Sequence, residues 1–230
     1  MNGSDSQVTL TAQSLDRREI ELLVREGQPV TVFDCHLDDL DLSRLDLSAW
    51  RFEKCRLART KFDGARLEES QFVSCRAGAA SFIGAGLPDA VVKGGDFNNA
   101  IFRGTNLTSA RFEQCKMTGA DLAEAQTLGL ELEEVVFALA KLPRLSFRNT
   151  VLKRIDFSDA DLGACDFRGT VFEDCSLRDA HLAECRFENA DLRGADLGGV
   201  QLTDARRFKG AMISRMQAAE LLGQLGLKVA

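Results

Sequence analysis

The residues of this 230-residue chain whose types could do chemistry are seven cysteines, two histidines and a dense set of carboxylates. Thiols can ligate soft metals, form disulfides or act as nucleophiles. Here they stand at Cys35, Cys55, Cys75, Cys115, Cys165, Cys175 and Cys185, each on a multiple of five. No CxxC pair occurs, so a zinc knuckle is unsupported, and an odd count does not suit a secreted disulfide framework. Reduced thiols and a cytoplasmic location are the expectation. No HExxH, P-loop, GxGxxG or GxSxG motif is present. The start, MNGSDSQ, lacks a charged and then apolar signal region, and no apolar run approaches the length of a membrane span.

The spacing of the cysteines leads to the elements that hold them. From Leu37 to Leu202, every fifth residue is Leu or Phe at thirty of thirty-four positions, the exceptions being Ala77, Val92, Met117 and Thr127. Thirteen of the fifteen phenylalanines fall in this set; Phe33 and Phe208 do not. Multiples of five hold mostly small residues, and the remaining three places are mostly polar, charged or Gly. Two inward residues per five, separated by one outward residue, fit neither a helix of 3.6 residues per turn nor a lone alternating strand. They fit a solenoid in which a large and a small residue point inward on each short face. The cysteines then occupy the small inward place, as compact apolar residues. His36 and His181 project outward several coils apart, unable to share a metal or a catalytic dyad. A convex rod has no water-excluding cleft for a small-molecule substrate. The expectation is a protein with no catalytic residues, no metal and no cofactor: not an enzyme.

The units Ala160-Asp161-Leu162-Gly163-Ala164 and Ala190-Asp191-Leu192-Arg193-Gly194 resemble the pentapeptide-repeat family, whose consensus is A(D/N)LXX. The resemblance covers roughly residues 32–205. It implies an all-β fold, a right-handed quadrilateral β-helix of about 8–9 coils, with short capping α-helices at both ends. The domain reading is an N-terminal segment with a capping helix (1–31), the β-helix (32–205), and a C-terminal helix and tail (206–230).

Asp16 with Glu19 forms a capping-box pattern, and Gly27 then Pro29 stop a helix placed near 16–26; residues 1–10 are read as loose. Ser214 with Gln217 forms a second such pattern before Met216, Ala218, Leu221, Leu222 and Leu225. Leu227 to Ala230 is read as a possible terminal strand. This tail looks like that of the MfpA and Qnr-type members, in which it joins two rods end to end. The resemblance therefore implies a homodimer through Met216, Ala218, Leu221, Leu222, Leu225, Leu227 and Val229.

Charge is uneven. The chain carries −6 overall, yet Asp156 to Asp204 holds twelve acids against four arginines. The candidate partner-binding acids are Asp156, Asp159, Asp161, Asp166, Glu173, Asp174, Asp179, Glu184, Glu188, Asp191 and Asp196. An acidic chain does not grip phosphates, so no direct nucleic-acid binding is expected. MfpA and Qnr-type members are DNA-mimicking partners of type II topoisomerases. The resemblance thus implies docking on DNA gyrase or topoisomerase IV, with inhibition or quinolone protection. The alternative is a general interaction scaffold with an unidentified partner, reached through a flat face such as 126–144. Irregular composition at 76–95 and 126–144 allows a bulged coil. Leu128, Val136 and Leu139 would be outward in a regular coil, so a local deformation that buries them is expected.

Overall fold

A computed structural model describes residues 8–200, 205–224 and 226–228. It is a four-sided parallel β-helix of about nine coils with two short α-helices. Nine short strands stack in chain order on the first face: β1 (Val8–Thr11), β2 (Val30–Phe33), β3 (Arg51–Glu53), β4 (Gln71–Arg76), β5 (Val91–Asp96), β6 (Arg111–Lys116), β7 (Glu131–Glu133), β8 (Val151–Lys153) and β9 (Val171–Glu173). All pair in parallel, and from β2 onward the register is twenty residues, as in Phe52 opposite Phe72. Four units make one coil. The second, third and fourth faces carry the same register as single bridges, such as His36 opposite Arg56, Asp41 opposite Lys61 and Asp46 opposite Arg66. At roughly 4.8 Å per coil the rod is about 40 Å long.

The five-residue rule has a backbone cause. The last residue of almost every unit turns a corner with positive φ, as at Asp39 (63°), Arg59 (57°) and Gly64 (62°). Gly, Asn and Asp reach that region at least cost, which explains their abundance there. The centre of each unit is then fixed inward. Phe62, Phe82 and Phe102 stack with centroids 4.9 and 4.7 Å apart. A second column, on the fourth face, runs through Phe147, Phe167 and Phe187. Such stacks give each coil apolar area that no single coil could bury alone.

Two sequence expectations need correction. Residues 8–10 are not loose, because β1 pairs with β2 and begins the solenoid before α1 (Arg17–Glu26). The second concerns 126–144. Leu128 and Leu139 are 79% and 62% exposed, so no deformation buries them. The coil opens instead. Elsewhere, backbone N–H groups bond the neighbouring coil at regular places, as Leu107 N to Gln126 O (2.8 Å). Among the described residues five consecutive ladder bonds are missing: Glu124 N to Pro143 O, Ser146 N to Ala125 O, Thr127 N to Ser146 O, Gly129 N to Arg148 O, and Val151 N to Leu130 O. β7 and β8 pair only at Glu133 and Lys153. The opening coincides with three departures from the five-residue rule. Thr127 underfills the centre of its unit, while Leu130 and Leu145 stand at small places where the coil beneath carries Ala110 and Ala125.

Both ends are covered. Asp16 and Glu19 form the expected capping box, with Glu19 N on Asp16 Oδ1 (2.9 Å) and Asp16 N on Glu19 Oε2 (2.8 Å). Ile20 of α1 is fully buried against the first coils. At the other end Phe208 stacks on Phe187, and α2 (Arg215–Gln224) follows.

Candidate protein-binding surface

The predicted acids divide by their job in the unit. Asp156, Asp161, Asp166, Asp191 and Asp196 open their units, and each carboxylate accepts the backbone N–H two residues on. The partners are Ser158 (2.9 Å), Gly163 (3.1 Å), Arg168 (3.1 Å), Arg193 (3.2 Å) and Gly198 (2.9 Å). Asp41 and Asp96, outside the acidic segment, do the same with Ser43 and Asn98. This aspartate is a turn former throughout the fold. Three of these five are also charge-paired, Asp191 with Arg193 (2.6 Å), Asp196 with Arg178 (2.8 Å) and Asp166 with Arg168, and Asp161 is hydrogen-bonded to His181 (3.0 Å). Glu188 pairs with Arg186 (3.0 Å). Hydrogen bonds from Arg168 and Arg193 hold the Asp166 and Asp191 carboxyls below the usual carboxylate range, and His181 does so for Asp161.

The other candidates are different. Asp159, Asp174, Asp179 and Glu184 stand at left-handed corners (φ 57°, 53°, 54° and 62°), exposed, with Glu173 beside Asp174. None has an ion-pair partner within 4.0 Å among the described residues. Asp174 ends the first face of its coil. Asp159 and Asp179 lie one coil apart on the second face, whose column continues through Asp156 and Asp196. Glu184 lies on the third, with Asp161. The fourth face carries Asp166 and Glu188 against Arg168 and Arg186, with exposed Arg148 and Lys209 beyond them. The unpaired negative charge is therefore densest on the second face, from Asp174 at the corner leading into it to Asp159 and Asp179 at the corner leading out of it.

The C-terminal segment makes a cap. Gln217 N donates to Ser214 Oγ (3.2 Å) and Ser214 N to Gln217 Oε1 (2.6 Å), the expected capping box. The buried Gln217 Nε2 then donates to the carbonyls of Leu192 (2.7 Å) and Ala195 (2.6 Å), closing the last open edge. Leu221 is buried against the rod's own core, so it serves the cap and is not available to a second copy. Met216 (71% exposed), Leu222 and Leu227 remain on the surface and Ala218 is half-buried. Leu225 and Val229 lie outside the described residues, as do residues 229–230 of the expected terminal strand; Leu227 and Lys228 are not in a strand.

All seven thiols are buried. They are more than compact apolar residues, a point the sequence reading missed. The Sγ of Cys55, Cys115, Cys165 and Cys185 lies 3.0–3.3 Å from the carbonyl oxygen of the residue twenty-three earlier, on the coil beneath. Thr60, Thr105 and Thr170 donate their hydroxyls to the same kind of carbonyl. The small place therefore accommodates a short side chain with one donor as well as Ala. Burial pushes the Cys185 thiol up to about 11 and Cys115 to about 12. Thiols held protonated are poor nucleophiles and ligands. No cluster of three or more potential metal ligands exists among the described residues, and no helix there is long and apolar enough to cross a membrane.

Comparison with known proteins agrees with this geometry. Family models described as pentapeptide repeats match residues 87–123 and 170–206, and residues 137–181. A search of curated protein sequences returns no match. Among solved structures, HetL of the cyanobacterium Nostoc, a pentapeptide-repeat protein involved in heterocyst differentiation regulation, superposes with a TM-score of 0.65. It is 21% identical over 82% of this chain and 86% of its own. QnrB1, a plasmid-mediated fluoroquinolone resistance protein, superposes with a TM-score of 0.61 at 20% identity, over 99% of this chain and 100% of its own. At such identity the likeness is one of fold.

Proposed function

This chain belongs to the pentapeptide-repeat family, and we propose that it is a binding module whose acidic second face competes with DNA for a type II topoisomerase. The observation that carries this reading is the set of exposed carboxylates without ion-pair partners among the described residues at Asp159, Asp174 and Asp179, on and beside the second face with Asp156, Glu173 and Asp196. Coils repeat about every 4.8 Å along the rod. Duplex DNA carries one phosphate charge per ~1.7 Å of axis, counted over both strands. A face presenting several carboxylates per coil approaches that density. The likeness in fold to a fluoroquinolone resistance protein over the whole chain supports the same direction. The mechanism is electrostatic occlusion of a basic DNA-binding surface, and it weakens as salt rises.

Two copies joined through Met216, Ala218, Leu222 and Leu227, with Leu225 and Val229 in the same tail, would place two acidic faces about a central junction. The rod would act in the cytoplasm, where DNA gyrase and topoisomerase IV work. A supercoiling assay with purified protein tests the reading, with and without a quinolone, at two salt concentrations. Salt-sensitive inhibition or drug protection supports it. No effect at high protein excess moves the protein to the scaffold reading, with a partner of another kind.

A further inference from the structure

The opened ladder between residues 124–130 and 143–151 has no part in the acidic second face. It borders a groove of about 560 Å³ lined by Arg111, Glu113, Leu130 to Glu133 and Thr150 to Lys153. We propose that this opening is a docking site for an extended peptide segment of a partner protein, one that alternates aliphatic and acidic side chains.

Three observations select that occupant. The opening leaves backbone N–H groups of Glu124, Thr127, Gly129, Ser146 and Val151 without their ladder acceptors, and carbonyls of Ala125, Leu130, Pro143, Ser146 and Arg148 without their donors. Unpaired donors and acceptors in equal number along an edge match another polypeptide backbone, which offers both in alternation. An anion would need donors alone. Second, Leu128 and Val151 are 79% and 48% exposed beside the gap, a cost that a covering aliphatic chain removes. Third, the charges around the groove are unequal in their commitments. Glu131 is held by Arg111 (2.7 Å) and Glu133 by Arg154 (2.8 Å), whereas exposed Lys153 of the wall, and Arg148 on the neighbouring face, have no ion-pair partner among the described residues. The cations left over call for carboxylates on the incoming segment.

The composition around the opening supplies the control. Thr127→Leu with Leu130→Ala restores the large-centre, small-place rule at these two positions, and this variant is expected to close the ladder. Hydrogen exchange then reads the change directly. The Thr127, Gly129, Ser146 and Val151 amides exchange freely in the natural chain, and closure slows them by at least about tenfold.

The binding experiment uses the full chain and NMR titration with an end-blocked peptide, acetyl-Glu-Val-Thr-Val-Asp-Val-amide. The expected result is shifts confined to the amides around 124–130 and 146–153. They vanish with the closed variant, and on the natural chain they vanish with the same peptide N-methylated at alternate amides. The N-methylated peptide keeps the test valid whether or not the closed variant folds. Absence of shifts at millimolar peptide overturns the proposal. So does equal binding by the N-methylated peptide, or by a peptide with Lys at the two acidic places.

Discussion

Phe208 stacks on Phe187 with centroids 4.9 Å apart and planes 6° from parallel, although twenty-one residues separate them instead of twenty. One extra residue has entered the final turn, and the column absorbs it. Met212 N likewise reaches Ala190 O (2.8 Å), so the coil continues before α2 caps it. Phe208→Ala should cost about 2 kcal/mol, below a full core truncation because the ring is only partly buried. Urea denaturation measures this, and faster proteolysis of 209–228 should accompany it.

Gln217 couples the cap to the rod. Gln217→Leu keeps most of the volume and removes both donors from the Leu192 and Ala195 carbonyls. A loss of about 1–3 kcal/mol is expected from two buried acceptors left unpaired. The same experiment on Gln224→Leu should give less, since Gln224 makes one bond, to Val200 O at 3.1 Å.

Two glycines with the same backbone should respond differently to alanine. Gly104 has φ 64° and open space around an added Cβ, so Gly104→Ala costs only the corner strain, about 1 kcal/mol. Gly169 has φ 66°, but Asn149 Oδ1 from the coil beneath occupies the place of its Cβ. Gly169→Ala should therefore cost about 1–2 kcal/mol more than Gly104→Ala. Equal losses would contradict the Asn-over-Gly stacking.

The buried thiols make a pH prediction. The folded chain keeps protons on Cys115 and Cys185 up to about 12 and 11, whereas unfolded thiols lose theirs near about 8.5. Their contribution to stability is complete below the unfolded value and falls as pH rises through that interval. A thiol reagent at pH 8 should find almost no reactive cysteine until denaturant is added. At the acid end the sign reverses. Asp161, Asp166 and Asp191, with depressed values, contribute above the ordinary carboxylate range and cease to as pH falls below it.

The fold was legible because one period dominates the chain: Phe62, Phe82 and Phe102 are twenty apart in sequence and one coil apart in space. The capping boxes at Asp16 and Ser214 were legible because they need only local spacing. The opened ladder was visible only as irregular composition. Thr127, Leu130 and Leu145 each break the rule mildly, and all three lie on or beside the fourth face where the coil parts. The acidic site was half legible. Sequence counts Asp166 and Asp159 alike, but the first is tied to a turn and an arginine, and the second is free. That distinction depends on neighbours twenty residues away and on which face they share.

The most direct test of the acidic face is a binding titration of the protein against reconstituted gyrase at low and moderate salt. Two triple variants of equal charge are compared, Asp159→Asn/Asp174→Asn/Asp179→Asn and Glu68→Gln/Glu69→Gln/Asp89→Asn. The first variant should bind at least about tenfold more weakly, a loss of about 1.4 kcal/mol or more, and the second should match the natural chain. Equal weakening by both variants, or by neither, would contradict a DNA-competing role for this face.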